Sequence, residues 1–295
     1  MRQNWTVRVG CARLLSVSSC LFFLECFVTL ANCPLKTAAL AASLILGTPL
    51  TFAQAFDAVR LYGAAAGTDG GTVGLAVIAS TEYPGSDERR NRLVPLLDYQ
   101  WKNGWFAGTT NGLGVNLSQR PDMDYGLRLT ADLGRDQSRS SALAGMGDIS
   151  ARPEIGGFFN YALNRQMALT SSLRYGAGNN RQGLLLDVGA AYSRELAAQW
   201  RFGMGVAATY ANADYLQSYF GVDAAQAAAS GYTVYTPGAG LRDVRVSASL
   251  TYRLNERTAI TTAVSASTLQ GDAGDSPLVR ERNRVTGIVA VSYGF

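Results

Sequence analysis

The sequence predicts an all-β fold, specifically a transmembrane antiparallel up-and-down β-barrel of twelve strands. Three observations predict it. From about residue 72 onward apolar and polar residues alternate with period two. The alternating segments run for roughly 10 to 13 residues, near the ~9–11 that cross a bilayer obliquely. The last alternating segment ends on the final residue, Phe295. The composition agrees. Only 16% of the 295 residues are charged, against about 25% in ordinary soluble domains. Glycine is abundant, lysine occurs only as Lys36 and Lys102, and no apolar run is long enough for a membrane-spanning helix.

Val244–Leu254 carries the alternation most cleanly. Val244, Val246, Ala248, Leu250, Tyr252 and Leu254 share one face, and Arg245, Ser247, Ser249, Thr251 and Arg253 share the other. Residues 123–133 repeat the pattern, with Met123, Tyr125, Leu127, Leu129 and Leu133 opposite Asp124, Gly126, Arg128, Thr130 and Asp132. So do Trp200, Phe202, Met204, Val206 and Tyr210 opposite Arg201, Gly203, Gly205 and Thr209. A soluble two-sheet sandwich could bury such apolar faces in one core. Strand length favours the barrel, since soluble strands average about 5–6 residues. So do the small polar inner faces and the aromatics at strand ends, Tyr99, Trp101, Trp105, Tyr161, Tyr175, Tyr192, Trp200 and Tyr252.

Taken in order, the strands fall near 72–80, 92–101, 105–117, 122–133, 152–163, 166–177, 183–196, 199–211, 241–254, 257–269 and 284–295. Short turns (163–166, 197–199, 255–257) alternate with long loops (135–149, 213–238, 271–283). A barrel with both ends on one side needs an even strand number, and Ala58–Ala66 is the expected twelfth; ten or fourteen would also satisfy parity. A short helix is expected over Ala213–Val222, folding into the barrel mouth.

Residues 35–53 read as a secretory signal peptide. Lys36 gives the positive start, Ala38–Leu46 the apolar stretch and Thr51-Phe52-Ala53 the cleavage site, so the mature chain is expected to begin at Gln54. Residues 1–34 read as an over-extended gene start or an extra presequence. The alternatives are a lipoprotein signal ending at Cys33, which Asn32 fits poorly, and a membrane anchor, which Glu25 and the short run oppose. Residues 54–295 then form the barrel. Removing residues 1–53 takes away Arg2, Arg8, Arg13, Lys36 and Glu25, leaving basic and acidic residues nearly balanced. The basic character therefore gives no reason to expect a nucleic-acid partner.

Several segments resemble the MipA/OmpV family, the MltA-interacting outer-membrane proteins. They are Tyr83-Pro84-Gly85-Ser86-Asp87, Asp132-Leu133-Gly134-Arg135-Asp136-Gln137-Ser138 with Gly145-Met146-Gly147-Asp148-Ile149, Tyr219-Phe220-Gly221-Val222, and Gly271-Asp272-Ala273-Gly274-Asp275-Ser276-Pro277 with the terminal Tyr293-Gly294-Phe295. The resemblance implies a bacterial outer-membrane barrel with no known catalytic residues. In its best-known member it implies a scaffold joining a lytic transglycosylase to a peptidoglycan synthase; other members are described as adhesins or linked to osmotic and drug responses. Val291, Tyr293 and Phe295 also resemble the C-terminal signal of such barrels, read by the barrel-assembly machinery. A closing strand ends in the periplasm, which places the long loops outside.

The chain contains no histidine. His-based triads, zinc sites and general bases are excluded, and with them the histidine-dependent chemistries of known outer-membrane barrel enzymes. No catalytic residue, cofactor or metal site is expected. Asp272 and Asp275 could ligate calcium, but a turn with backbone-bonding aspartates is the ordinary reading. Gly203-Met204-Gly205 spells part of a dinucleotide motif inside a strand, with no helix following.

The candidate site is the set of charges on the expected lumen face: Asp124, Arg128, Asp132, Glu154, Arg174, Asp187, Glu195, Arg201, Arg245 and Arg253. They form either an ion-pair network filling a narrow barrel or a selective polar path for small solutes. Arg89, Arg90, Arg92, Arg280, Arg282 and Arg284 are candidates for lipopolysaccharide phosphates if they lie outside. Three functions follow: an envelope scaffold, a small-solute pore, and an adhesin using the outer loops.

Overall fold

The computed structural model describes residues 69–295. The expected presequence, the signal peptide, the Ala53–Gln54 junction and the expected strand Ala58–Ala66 lie outside the described residues. Twelve strands form one closed antiparallel barrel. They are β1 (Gly70–Thr81), β2 (Arg89–Gln100), β3 (Trp105–Gly108), β4 (Gly112–Asn116), β5 (Met123–Asp132), β6 (Arg152–Ala162), β7 (Met167–Ala177), β8 (Gly183–Ala197), β9 (Trp200–Ala211), β10 (Gly240–Arg253), β11 (Thr258–Leu269) and β12 (Asn283–Gly294). β1 closes on β12 with Leu75 opposite Val291 and Val77 opposite Val289, so no edge faces lipid at the closure.

The strand number is as expected but its derivation is corrected. Residues 105–117 are not one strand. They form the β3–β4 hairpin, with Gly108 opposite Gly112. β1 pairs with both β2 and β12, so the described residues supply all twelve strands of the ring.

The alternation explains the wall. Leu93, Leu97, Leu127, Leu129, Ile155, Val206, Val246, Val289 and Val291 all point outward and stay exposed, the apolar belt that hydrocarbon demands. Trp101, Trp105, Trp200 and Tyr252 gather at the end of the short turns, with the Trp200 and Tyr252 rings 4.6 Å apart. Asparagines make those turns. Asn164 Oδ1 accepts the N–H groups of Gln166 and Met167, and Asn255 Oδ1 those of Arg257 and Thr258, local bonds that pre-set a reversal. Inside, β1, β2 and β12 contribute an apolar patch of Ala76, Ile78, Val94, Leu96, Ile288 and Ala290. Near the hairpin, Phe106 and Phe158 meet edge to face at 5.9 Å and lie over Gly114 and Gly126, aromatic cover for glycines where the wall bends.

The long loops fold into a cap. α1 (Ala213–Phe220) begins at Asn212, whose side chain accepts the Tyr215 N–H, and α2 (Ala224–Ser230) begins with a capping box between Asp223 and Gln226. A single turn of helix, α3 (Gly271–Gly274), follows β11. Tyr215, Leu216, Tyr219 and Phe220 of α1 are buried with Ile149, Leu185 and Ala273. Met146, Val222 and Leu278 form a second cluster, and Tyr83, Ala142 and Leu143 a third. Long-range hydrogen bonds tie the loops together: Tyr83 OH donates to the Leu278 carbonyl (3.0 Å), Ser276 Oγ to that of Phe220 (2.6 Å) and Gln226 Nε2 to that of Met146 (2.7 Å).

Burial pushes the Tyr83 phenol up from 10.0 to about 12. The shift favours the neutral folded form, so its stabilisation is complete below pH 10.0 and is lost as pH rises toward about 12. A near-ultraviolet titration is expected to show Tyr83 ionising in that upper window, with Tyr83→Phe removing the step.

Candidate functional site

The lumen is divided by a layer of ion pairs. Arg174, on β7, is its centre. Its Nη2 lies 3.1 Å from Asp187 Oδ2 on β8, and its Nη1 lies 3.5 Å from Glu154 Oε2 on β6. Asp187 also accepts from Thr209 Oγ1 (2.7 Å) and has Arg245 Nη2 at 3.7 Å. Glu154, 1% exposed, has Thr130 Oγ1 at 3.2 Å, and Arg128 Nη2 donates to Ser172 Oγ at 2.5 Å. Each of these groups sits on an inward position of its strand, which is why alternation alone brings residues far apart in sequence into one layer. Burying so many charges is tolerable because each carboxylate meets a guanidinium and a hydroxyl.

A second layer above it belongs to the cap. Arg242 is 2% exposed, holds Asp243 (Nε to Oδ2 2.6 Å) and donates to Tyr215 OH at 3.0 Å. Tyr219 OH donates to Asp132 Oδ1 at 2.5 Å, and Arg135 Nη1 donates to the Tyr219 carbonyl at 2.8 Å. α1 is thus bolted to the wall from β5 and β10.

These layers separate two cavities that share no lining residue. Toward the short turns and Phe295 lies a vestibule of about 960 Å³, with Asp124, Arg128, Asp187, Arg201 and Arg245 on its lining. Toward the cap lies a cavity of about 110 Å³, lined by Asp132, Glu154, Arg174, Tyr215, Tyr219, Arg92 and Arg284 among others.

The expected site residues therefore fall in three groups. Arg128, Glu154, Arg174, Asp187 and Arg245 are buried in the dividing layer, with Asp132 above it. Asp124 is exposed in the vestibule and accepts from Asn116 Nδ2. Glu195, Arg201 and Arg253 form a rim cluster, with Glu195 3.1 Å from Arg201 and 3.6 Å from Arg253. Arg92 and Arg284 point inward, whereas Arg89, Arg90, Arg280 and Arg282 are on the outer surface. Asp272 Oδ2 is occupied by the Gly238 N–H (2.6 Å) and Asp275 by Arg282. Val291, Tyr293 and Phe295 face outward, and the Phe295 backbone pairs with Gly71 at 2.9 and 3.0 Å.

Sequence reasoning missed Arg242 and Asp243. A register shift between Leu241 and Asp243 in the β9–β10 ladder places both adjacent residues inside, which strict alternation forbids. It missed Tyr215 and Tyr219 as wall contacts, although their i, i+4 spacing puts them on one helix face.

A closed twelve-stranded barrel with a lipid-facing belt, a polar lumen and capped outer loops defines an outer-membrane β-barrel protein. The description "MltA-interacting protein MipA" fits residues 73–295. The chain belongs to that family, and its location is the bacterial outer membrane. Among solved structures it is similar to a KdgM porin (10% identity, TM-score 0.40, covering 76% of this chain and 99% of that one). It is similar also to a NanC porin (12%, 0.41, 74% and 98%) and to a bacterial polysaccharide outer-membrane secretin (8%, 0.46, 76% and 98%). None of the curated proteins matches the chain.

Proposed function

We propose that the protein is a non-enzymatic envelope scaffold that holds a lytic transglycosylase, and with it a peptidoglycan synthase, at the inner face of the outer membrane. The family description, an MltA-interacting protein, supports the partner. The observation that carries the reading is the asymmetry of the lumen: a wide vestibule faces the end where both chain termini of the barrel lie, and buried ion pairs and a packed cap lie beyond it. In this reading residues 35–53 direct export, and Val291, Tyr293 and Phe295 are read during assembly. The test is a pull-down of a purified lytic transglycosylase on the immobilised barrel in mild detergent. Retention at the periplasmic rim, weakened by charge reversal at Glu195, supports the scaffold. A clean negative overturns it.

The same geometry argues against a standing solute pore. Planar-bilayer recordings of the wild-type protein are expected to show no conductance steps, because two charge layers and α1 separate the vestibule from the outside. Stepwise conductance at moderate voltage would restore the pore.

A further inference from the structure

The barrel wall is incomplete on one side. β3 and β4 have four and five residues, while their neighbours β2 and β5 have twelve and ten. β2 meets β3 only through Asp98, Tyr99 and Gln100, and β4 meets β5 only from Gly126 to Leu129. The hairpin tip ends at Leu97, whose N–H donates to Thr109 Oγ1 and whose carbonyl accepts from Thr109 N–H. Above that point neither β2 nor β5 has a strand partner on the facing side. Two absent half-strands at ~4.8 Å each open a seam on the order of 10 Å. Leu97 shows that odd positions of β2 direct their backbone groups at this seam. Pro95, which has no N–H to leave unpaired, occupies one of them, the placement an open edge tolerates. Contacts of Arg139 with Glu82 (3.8 Å) and of Leu143 with Tyr83 close the seam from above.

The small upper cavity lies directly behind this seam. Its lining runs from Arg92 on β2 to Ala131 on β5. Ala131 has the outward parity of Leu127 and Leu129, which are 59% and 48% exposed to the lipid side. Its place on the lining fits a wall that ends beside it. Deeper in, Arg284 faces the cavity next to the hydroxyl pair Ser80–Thr286 (2.9 Å). Among the described residues, no carboxylate lies within ion-pair distance of Arg284 and no acceptor within hydrogen-bond distance; its charged neighbours are Asp243, which holds Arg242, and the like-charged Arg242 and Arg245. A guanidinium with no carboxylate in direct contact and two other arginines beside it is a receptor for an anionic oxygen group. Outside, Leu93 (64% exposed), Leu97 and Leu129 flank the seam with apolar surface.

We propose that this seam is a lateral binding site for an anionic amphiphile of the outer leaflet. The head group enters between β2 and β5 and is held by Arg284 with the Ser80 and Thr286 hydroxyls; the acyl chain stays in the seam, against Leu93, Leu97 and Leu129. This site lies on the opposite side of the ion-pair layer from the vestibule and stands independently of the scaffold reading.

The test is native mass spectrometry of the full folded barrel in a maltoside detergent, with dodecyl phosphate as the probe. Wild type is expected to retain one dodecyl phosphate, and Arg284→Gln to lose retention by about tenfold or more, the loss of one charge-assisted contact. Ala131→Trp, which fills the seam from the lipid side without touching Arg284, is expected to lose it likewise, while Val246→Trp, elsewhere on the belt, retains it. If Arg284→Gln does not fold, the two tryptophan variants decide alone. Equal retention by wild type and Ala131→Trp would overturn the proposal. So would inorganic phosphate competing as well as dodecyl phosphate, which would make this a site for free anions.

Discussion

Arg174→Met is expected to destabilise the folded barrel by about 3–5 kcal/mol, the cost of leaving buried charges without their partner. Among the described residues, Arg174 is the side chain that meets both Glu154 and Asp187. Asp187 would keep Thr209 and Arg245, but Glu154, almost wholly buried, would keep among the described residues the Thr130 hydroxyl at 3.2 Å and the more distant charge of Arg128. The measurement is the urea midpoint of the folded form in detergent micelles, followed by gel mobility with and without heating. Adding Glu154→Gln to Arg174→Met is expected to recover a large part of the loss, since the buried charge disappears with its partner. A single-variant cost below about 1 kcal/mol, the range of solvated surface pairs, would mean that water reaches this layer.

Gly126→Ala is expected to cost about 3 kcal/mol or more and to detach the β3–β4 hairpin. A methyl group at Gly126 would lie 1.9 Å from the Val115 carbonyl oxygen and 2.9 Å from Phe158 Cζ. The ring can turn, but the carbonyl belongs to the β4–β5 ladder, where Asn116 pairs with Gly126. Phe158→Ala should therefore not rescue the variant. Gly287 supplies the control: a methyl there meets nothing within 4 Å, and Gly287→Ala should stay within about 0.5 kcal/mol of wild type. Similar costs at the two positions would show that backbone entropy rather than close approach governs these glycines.

The wall was legible because alternation is a direct consequence of two solvents, and Val244–Leu254 or residues 123–133 state it without ambiguity. The split of 105–117 was legible in principle, since Asn111-Gly112 is a strong hairpin signal and Gly112 has a φ of 72°. Period-two patterning runs straight through so tight a reversal, which hid it. The dividing layer was half legible. Inward parity identified Arg128, Glu154, Arg174, Asp187 and Arg245, but not which of ten charges would meet, because Glu195, Arg201 and Arg253 share that parity and lie at the rim. Arg242 and Asp243 were invisible, as a bulge breaks the counting rule on which parity rests. Arg284 was grouped with Arg280 and Arg282 as an outward candidate for lipopolysaccharide phosphates, because it sits at the very start of its strand, where parity says least.

The central claim is that odd and even positions of one strand face hydrocarbon and a closed interior in turn. Single cysteines at Tyr125, Leu127, Arg128, Leu129 and Thr130 of β5, in a chain whose four native cysteines are replaced by serine, can each carry a small fluorophore in vesicles. Brominated lipid is expected to quench the label at 125, 127 and 129 and to leave it bright at 128 and 130. Uniform quenching along the strand, or none anywhere, would contradict the account.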